Sequence, residues 1–385
     1  MKQVDKEHLS IMLVNMTIDA VQGGGTAERT RQLAKYLLQA GCACRLITIV
    51  EGFLEASYRK EIAGVEIIAF RSLSRRFHLP LFRPMILWRA IKASDVIHLM
   101  NHWTLINAVV FILARLMKKP VVICPAGALR IVGRSRKLKL LYAWIIGDRM
   151  IRNAAGVILI SENELAHFSQ HAPARSVRLI PNGIDPSNFE DTNAMEFRRQ
   201  FSLPENGPLI LYMGRLNFIK GPDILLKAFI SIIDRMDDYH LVFVGPDDGM
   251  QSELEAISRT AQVTERIHFT GYVGGALKSQ AYHASSFLVI PSRQEAMSIV
   301  ALEAGAAGKP VLLTDACGFD EVGRIGGGVV VKADIEDLAA GLLHMAASAE
   351  RNVQMGNAMC THVLSNFSWS KIVNRHIDYF KKIAA

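Results

Sequence analysis

Leu209-Ile-Leu-Tyr-Met213-Gly-Arg-Leu-Asn-Phe-Ile-Lys220-Gly-Pro-Asp223 is the stretch on which the fold turns. Five apolar residues make a strand-length run, and a loop carrying Arg215 and Lys220 follows. Pro222 suits the first turn of a helix, where its missing N–H would have no partner in any case. Gly221 frees the chain just before it. A strand feeding a helix through such a loop is the unit of a parallel sheet, and open α/β sheets bind ligands at the carboxyl ends of their strands. Both cations fall on that edge. Together they suit a pyrophosphate, Arg215 as a planar fork and Lys220 as a compact point charge. Taken alone, the pair also reads as solvated surface charge.

Outward from this stretch the same alternation fills the chain, the pattern of an α/β protein with parallel sheets. Strands are predicted at 11–15, 45–50, 65–70, 96–100, 121–124, 157–160 and 177–180. They resume at 209–213, 241–244, 267–269, 287–290, 311–313 and 329–331. Thr26 to Ala40 reads as a helix with Leu33, Ala34 and Leu37 on one face and Gly41 as its stop. Pro181-Asn-Gly-Ile-Asp185-Pro186 is a cluster of turn formers directly after a strand, the natural boundary. At 385 residues the chain suits two domains of nearly equal size. These are residues 1–182 and 183–366, with residues 367–385 as a closing helix.

Two further motifs carry chemistry. Gly23-Gly24-Gly25-Thr26 sits between the first strand and its helix, where glycines let backbone N–H groups approach an anion. A dinucleotide fingerprint would need a third glycine at position 28, which is Glu28. A plain glycine turn remains the competing reading. Pro291-Ser-Arg-Gln-Glu295-Ala-Met-Ser298 leads from a strand into an alanine-rich helix, with Ser298 as its N-cap. Glu295 falls on the loop and Glu303 one to two turns into the helix. Backbone N–H groups near Met297 would face an anion, and the carboxylates would accept from sugar hydroxyls. Paired carboxylates also suit glycoside hydrolysis, but hydrolases have no pyrophosphate for the cationic loop to hold.

Net charge is +8. Arg71 to Lys92 holds six basic residues and no acid, and Arg130 to Lys139 holds five and no acid. With no nucleic-acid motif present, nucleic acid is not the expected partner. Basic residues mixed with Phe77, Leu79, Leu81, Phe82, Met85 and Trp88 fit an anionic membrane surface, or a solvated basic face. The apolar run Ala108 to Met117 is too short to span a bilayer. The first ten residues lack a signal-peptide core. A cytoplasmic protein is expected, peripheral on the cytoplasmic face of a membrane. The five cysteines show no metal-ligand spacing and read as reduced thiols.

These residues together resemble the large retaining glycosyltransferase family numbered four, also called group 1, with the GT-B fold. That fold has two facing Rossmann-like domains with parallel sheets and a cleft between them. The resemblance rests on the glycine loop with Leu33 to Leu37, Pro181 to Asp185, Gly214-Arg215-Leu216 and Lys220-Gly221. It also rests on Glu295 and Glu303 at E-x7-E spacing, Gly308-Lys-Pro-Val311 and Phe367-Ser-Trp369. It implies transfer of a sugar from a UDP-, GDP-, ADP- or dTDP-linked donor to a glycan or lipid-linked acceptor, with retention and without a metal or other cofactor. Surface polysaccharide or lipopolysaccharide assembly would be the setting. Arg215 and Lys220 would neutralise the diphosphate, and Glu303 would hold the ribose. Glu295 with Ala296, Met297 and Ser298 would hold the sugar and phosphates, beside Gly214. Gly24 and Gly25 would approach the phosphates from the first domain.

The chain departs from the pattern at Ala126, where many members carry a histidine beside the reacting sugar. His98 and His102 follow a neighbouring strand as substitutes. The alternatives are a GT-B sugar-nucleotide epimerase and a catalytically degenerate binding protein; intact Arg215, Lys220, Glu295 and Glu303 count against the second.

Overall fold

The computed structural model describes residues 9–51, 56–74, 79–127, 136–168 and 177–385. The chain divides into two compact units, one reaching Asn182 and including Trp369–Ala385, the other Gly183–Ser368. Parts of both basic stretches, residues 75–78 (including Phe77) and 130–135, lie outside the described residues.

In the first unit, seven described strands form one parallel sheet. They are β1 (Ser10–Val14), β2 (Ala43–Val50), β3 (Glu66–Arg71), β4 (Val96–Met100), β5 (Val121–Cys124), β6 (Gly156–Leu159) and β7 (Val177–Leu179). Their order is β3-β2-β1-β4-β5-β6-β7, reversing beside β1 as in doubly wound folds. Every residue of β4, β5 and β6 is buried, as expected for strands covered on both faces. The described helices are α1 (Ala20–Gln39), α2 (Ala56–Glu61), α3 (Pro84–Lys92), α4 (Leu105–Leu116), α5 (Arg136–Tyr142), α6 (Asp148–Asn153) and α7 (Glu162–Phe168). A π-helical turn, Ala143–Gly147, joins α5 to α6.

The glycine motif marks the expected break before the long helix, although a short capped helical turn already precedes it. Asp19 accepts hydrogen bonds from the Val21 and Gln22 N–H groups, so the helix starts earlier. Gly24 interrupts it at φ 52° and ψ −139°. The Asp19 carboxylate caps a first turn, and positive-φ Gly24 separates that turn from the long helix that follows, so the motif is a boundary as glycine's poor helix propensity suggests.

The second unit repeats the design with β8 (Leu209–Met213), β9 (His240–Val244), β10 (Ile267–Gly271), β11 (Phe287–Ile290), β12 (Val311–Thr314) and β13 (Gly328–Val331). These six parallel strands run in the order β10-β9-β8-β11-β12-β13. Around them lie α8 (Ala194–Gln200), α9 (Pro222–Ser231), α10 (Gln251–Thr260), α11 (Ala276–Ala284), α12 (Ile299–Ala306), α13 (Glu321–Arg324), α14 (Ile335–Ala346) and α15 (Ala349–Asn366). The unit's two ends meet: the Ile184 N–H donates to the Phe367 carbonyl at 2.7 Å. No described helix is long and apolar enough to cross a membrane.

The last helix, α16 (Trp369–Ala384), belongs to the first unit. Trp369, Ile372, Val373, His376, Tyr379 and Phe380 are buried along one face, spaced three and four apart. Trp369 stacks on Tyr36 of α1, while His376 and Phe380 meet His98 of β4. Expected as a residue after the strand, His98 sits in the middle of it. It is wholly buried, so it is a core histidine and not part of an open site.

Two outcomes follow from this seam. Phe380→Ala should cost about 3–5 kcal/mol in urea unfolding, because a fully buried ring leaves a cavity; a loss under about 1 kcal/mol would mean α16 is loosely docked. Burial, with Arg29 and Arg375 nearby, pushes the His376 imidazole down to about 3. Burial, then His376 and Arg29, push His98 well below its ordinary value. The unfolded chain therefore takes up the protons, and the stability these neutral rings contribute is complete above pH 6.5 and lost as pH falls toward 3. Urea midpoints should decline across that window, and His376→Leu should flatten the decline. An unchanged slope in the variant would assign the acid sensitivity to other groups.

Candidate donor site

Three elements of the second unit position the site: the loop after β8, the loop after β11, and the start of α12. Past β8, Asn217 caps a 3-10 turn, Phe218–Lys220, by accepting from the Lys220 N–H at 3.0 Å. Gly221 then takes a left-handed conformation, φ 68°, into the N-terminal Pro222 of α9. A Cβ at Gly221 would lie 2.1 Å from the Pro291 carbonyl, so the lysine loop rests directly on the backbone after β11. Gly318 gives the same close approach from the other side, where a Cβ would lie 2.1 Å from the Ala296 carbonyl.

Arg293 clamps the two loops. Its guanidinium holds both oxygens of Asp223, at 2.7 and 2.6 Å, and donates to the Phe218 carbonyl. Burial would raise the Asp223 carboxyl, but the Arg293 hydrogen bonds and charge outweigh it and hold the group below its ordinary value.

Between the clamped loops, Lys220 Nζ lies 2.5 Å from Glu295 Oε1, which also accepts from the Ser292 hydroxyl at 2.6 Å. An ammonium has three N–H bonds. Pairing with one carboxylate oxygen leaves donors for an anion. Arg215 is more open, its side chain 45% exposed, with Asp248 3.5 Å away. Asp248 also accepts from Asn217, and the Tyr212 hydroxyl donates to the Arg215 carbonyl.

Ser298 stands at the N-cap position of α12 with extended backbone, as expected, but makes no capping hydrogen bond. Its hydroxyl is buried without a partner, beside buried Met297. Glu303, in α12, accepts from Lys278 Nζ at 2.8 Å and from the Tyr282 hydroxyl at 2.7 Å. Gly214, Arg215 and Lys220 thus follow β8, Glu295, Ala296, Met297 and Ser298 follow the adjacent strand β11, and Glu303 lies within α12.

In the first unit, Gly24, Gly25, His102 and Ala126 follow β1, β4 and β5. The backbone there is strained. Asn101, Ala126 and Gly127 all have positive φ (90°, 50° and 80°), and such residues cluster at functional sites. Buried Glu164 holds the Ala126 turn by accepting from the Gly127 N–H at 2.6 Å and the Ile160 N–H at 2.9 Å. Arg29, also buried, donates to Cys124 Sγ at 2.7 Å. His102 is buried against Trp103 and Tyr142, and burial pushes its imidazole down to about 4 against the opposing pull of Asp148.

Sequence reasoning did not single out Lys278, Tyr282, Asp248, Ser292, Arg293, Asp223, Arg29 or Glu164 for the site. One signal was available: Lys278 and Tyr282 are four apart on a helix and share a face. Ser292 is three residues from Glu295, whereas the Arg293–Asp223 and Arg215–Asp248 pairs span 70 and 33 residues.

Two family profiles cover most of the chain: "Glycosyltransferase Family 4" over residues 23–188 and "Glycosyl transferases group 1" over residues 193–359. An uncharacterized glycosyltransferase of Methanocaldococcus jannaschii is 30% identical over 217 residues, 55% of each chain. The lipopolysaccharide 1,2-N-acetylglucosaminetransferase of Salmonella typhimurium is 27% identical over 239 residues, 60% of this chain and 62% of that enzyme. The chain thus spans little more than half the length of these relatives. Anabaena HepE, solved with UDP-glucose, superposes with a TM-score of 0.77 at 19% identity, covering 97% of this chain and all of the other (100%). With its two parallel sheets, its loop cations and these profiles, the chain belongs to the family 4, group 1 glycosyltransferases and has the GT-B fold.

Proposed function

We propose that the chain transfers a sugar from a nucleoside diphosphate sugar to an acceptor hydroxyl with the anomeric configuration retained. The observation that carries this reading is the Lys220–Glu295 pair, which joins the loop after β8, where half-exposed Arg215 also lies, to the loop leading into α12. Departure of a diphosphate builds negative charge on its oxygens. Arg215, Lys220 and the N–H groups beginning α12 are groups that stabilise such charge. Protein cations then do the work a metal would otherwise do. Retention follows the family resemblance, with the leaving phosphate assisting a front-face displacement. HepE's UDP-glucose makes a UDP-linked donor the first to test, and the Salmonella enzyme supports a place in surface-glycan assembly.

The acceptor, on this reading, is a lipid-linked glycan met at an anionic membrane. Two described surfaces of the first unit support it. On α3, Met85 and Trp88 are exposed beside Arg83, Arg89 and Lys92, with no acid. On α5 and the π-helical turn, Leu138, Leu140, Leu141, Ile145 and Trp144 (76% exposed) accompany Lys137 and Lys139. Apolar groups enter the interface while basic groups meet anionic headgroups.

Thermal-shift titration with UDP, GDP, ADP and dTDP should give one clear stabilisation that disappears in Arg215→Ala/Lys220→Ala. Either single substitution should lower the transfer rate by about 100-fold, and a chelator should leave the wild-type rate unchanged. No shift with any nucleotide would remove the transferase reading; inhibition by chelator would remove its metal-free form. In co-sedimentation, vesicles containing phosphatidylglycerol should bind at least about tenfold more protein than pure phosphatidylcholine. Trp88→Ser/Trp144→Ser should abolish most of that difference while leaving nucleotide binding intact. Equal binding to both vesicles would exclude the anionic surface as partner.

A further inference from the structure

Glu303 has surroundings more specific than a carboxylate facing solvent. Its side chain is 7% exposed, and each oxygen meets a different donor on α11, Lys278 at Oε1 and Tyr282 at Oε2. Tyr282 is buried; burial, and then the negative charge of Glu303, raise its phenol well above the ordinary value, so it stays an O–H donor. Lys278 and Tyr282 are one turn apart, so a single helix face presents both groups. The Lys278 ammonium also lies 5.5 Å from the centre of the Phe189 ring, which packs edge-on against Tyr282. The ammonium is thus held between a carboxylate and an aromatic face. With its own side chain 24% exposed, it remains at the rim of the site.

We propose that Lys278 is a positioning residue for the donor: it neutralises and orients the Glu303 carboxylate so that the remaining lone pairs accept the hydroxyls of a nucleoside ribose. This rests on the donor reading above. An ionised carboxylate offers about four lone-pair sites. Lys278 and Tyr282 occupy one on each oxygen, leaving acceptors for a pair of vicinal O–H groups. Without Lys278, a nearly buried charge would lose its counter-ion, and it must then take up a proton or turn toward water. Either response removes an acceptor from the ribose. The arrangement therefore selects ribonucleoside diphosphate donors, and it places dTDP-linked donors, which lack the 2′-hydroxyl, at a disadvantage.

Calorimetric titration of the full chain with UDP, GDP and ADP, each against its 2′-deoxy counterpart, tests the proposal. The wild type should prefer the ribonucleotide it binds by about tenfold or more, the worth of a hydrogen bond to a charged group. In Lys278→Met that ratio should fall to near one, mainly through weaker binding of the ribonucleotide. Lys278→Arg should preserve it. General loosening of the fold would weaken both members of a pair alike and leave their ratio unchanged. Lys278→Gln carries the same comparison if the methionine variant does not fold. An unchanged ratio in the uncharged variant overturns the role of Lys278 while sparing the donor site. Failure of every ribonucleotide to bind the wild type overturns both.

Discussion

Burying a carboxylate is costly unless a cation or several hydrogen bonds meet it, and that constraint organises the second unit. Glu295 and Glu303 have side chains only 8% and 7% exposed. Each is answered by a lysine from a different part of the chain, Lys220 and Lys278, and by one hydroxyl, Ser292 or Tyr282. Asp223 is the third member of the pattern, answered by Arg293. The consequence is positional. Loops that would otherwise move independently on the sheet edge are tied to one another, and the cations that could meet a diphosphate are set before any ligand arrives. Prior placement of this kind is what electrostatic stabilisation of a developing charge requires, since no reorganisation is left for the moment of reaction.

The first unit obeys the same constraint by a different route. Glu164 is buried, and burial raises its carboxyl above the ordinary value despite hydrogen bonds that favour the charged form. It is met by backbone N–H groups of Gly127 and Ile160, not by a lysine placed to touch it. The carboxylate therefore shapes a turn instead of presenting a charge. That turn contains Ala126, a side-chain residue at φ 50°, a conformation that persists only where its surroundings impose it. Glu164 thus serves backbone geometry, whereas Glu295 and Glu303 hold charged side chains in place.

This contrast accounts for what the sequence revealed. Strand and helix alternation exposed the fold because parallel strands covered on both faces must be continuously apolar, as β4, β5 and β6 are. The cationic loop after β8 was legible because Gly221, Pro222, Arg215 and Lys220 lie within a few residues of one another, and each residue type has a local reason to be there. Lys278 was not legible as Glu303's partner: 25 residues separate them, and only the packing of α11 against the neighbouring elements closes the gap. His98 misled for the opposite reason. A polar residue near a strand end reads as available to a ligand, whereas α16, more than 270 positions later, covers it.

The glycine motif adds a limit of a different kind. Gly23, Gly24 and Gly25 read as a loop because glycine is the poorest helix former after proline. Propensity describes the cost of a conformation and not its use. Here Asp19 caps a short first turn ahead of the glycines, and Gly24 absorbs the break before the long helix at a φ that other residues enter only with strain. A short capped turn and the long helix therefore meet at Gly24. A glycine run after a strand marks where the backbone must do something unusual; the residues around it decide whether that is a turn or a bend within a helix.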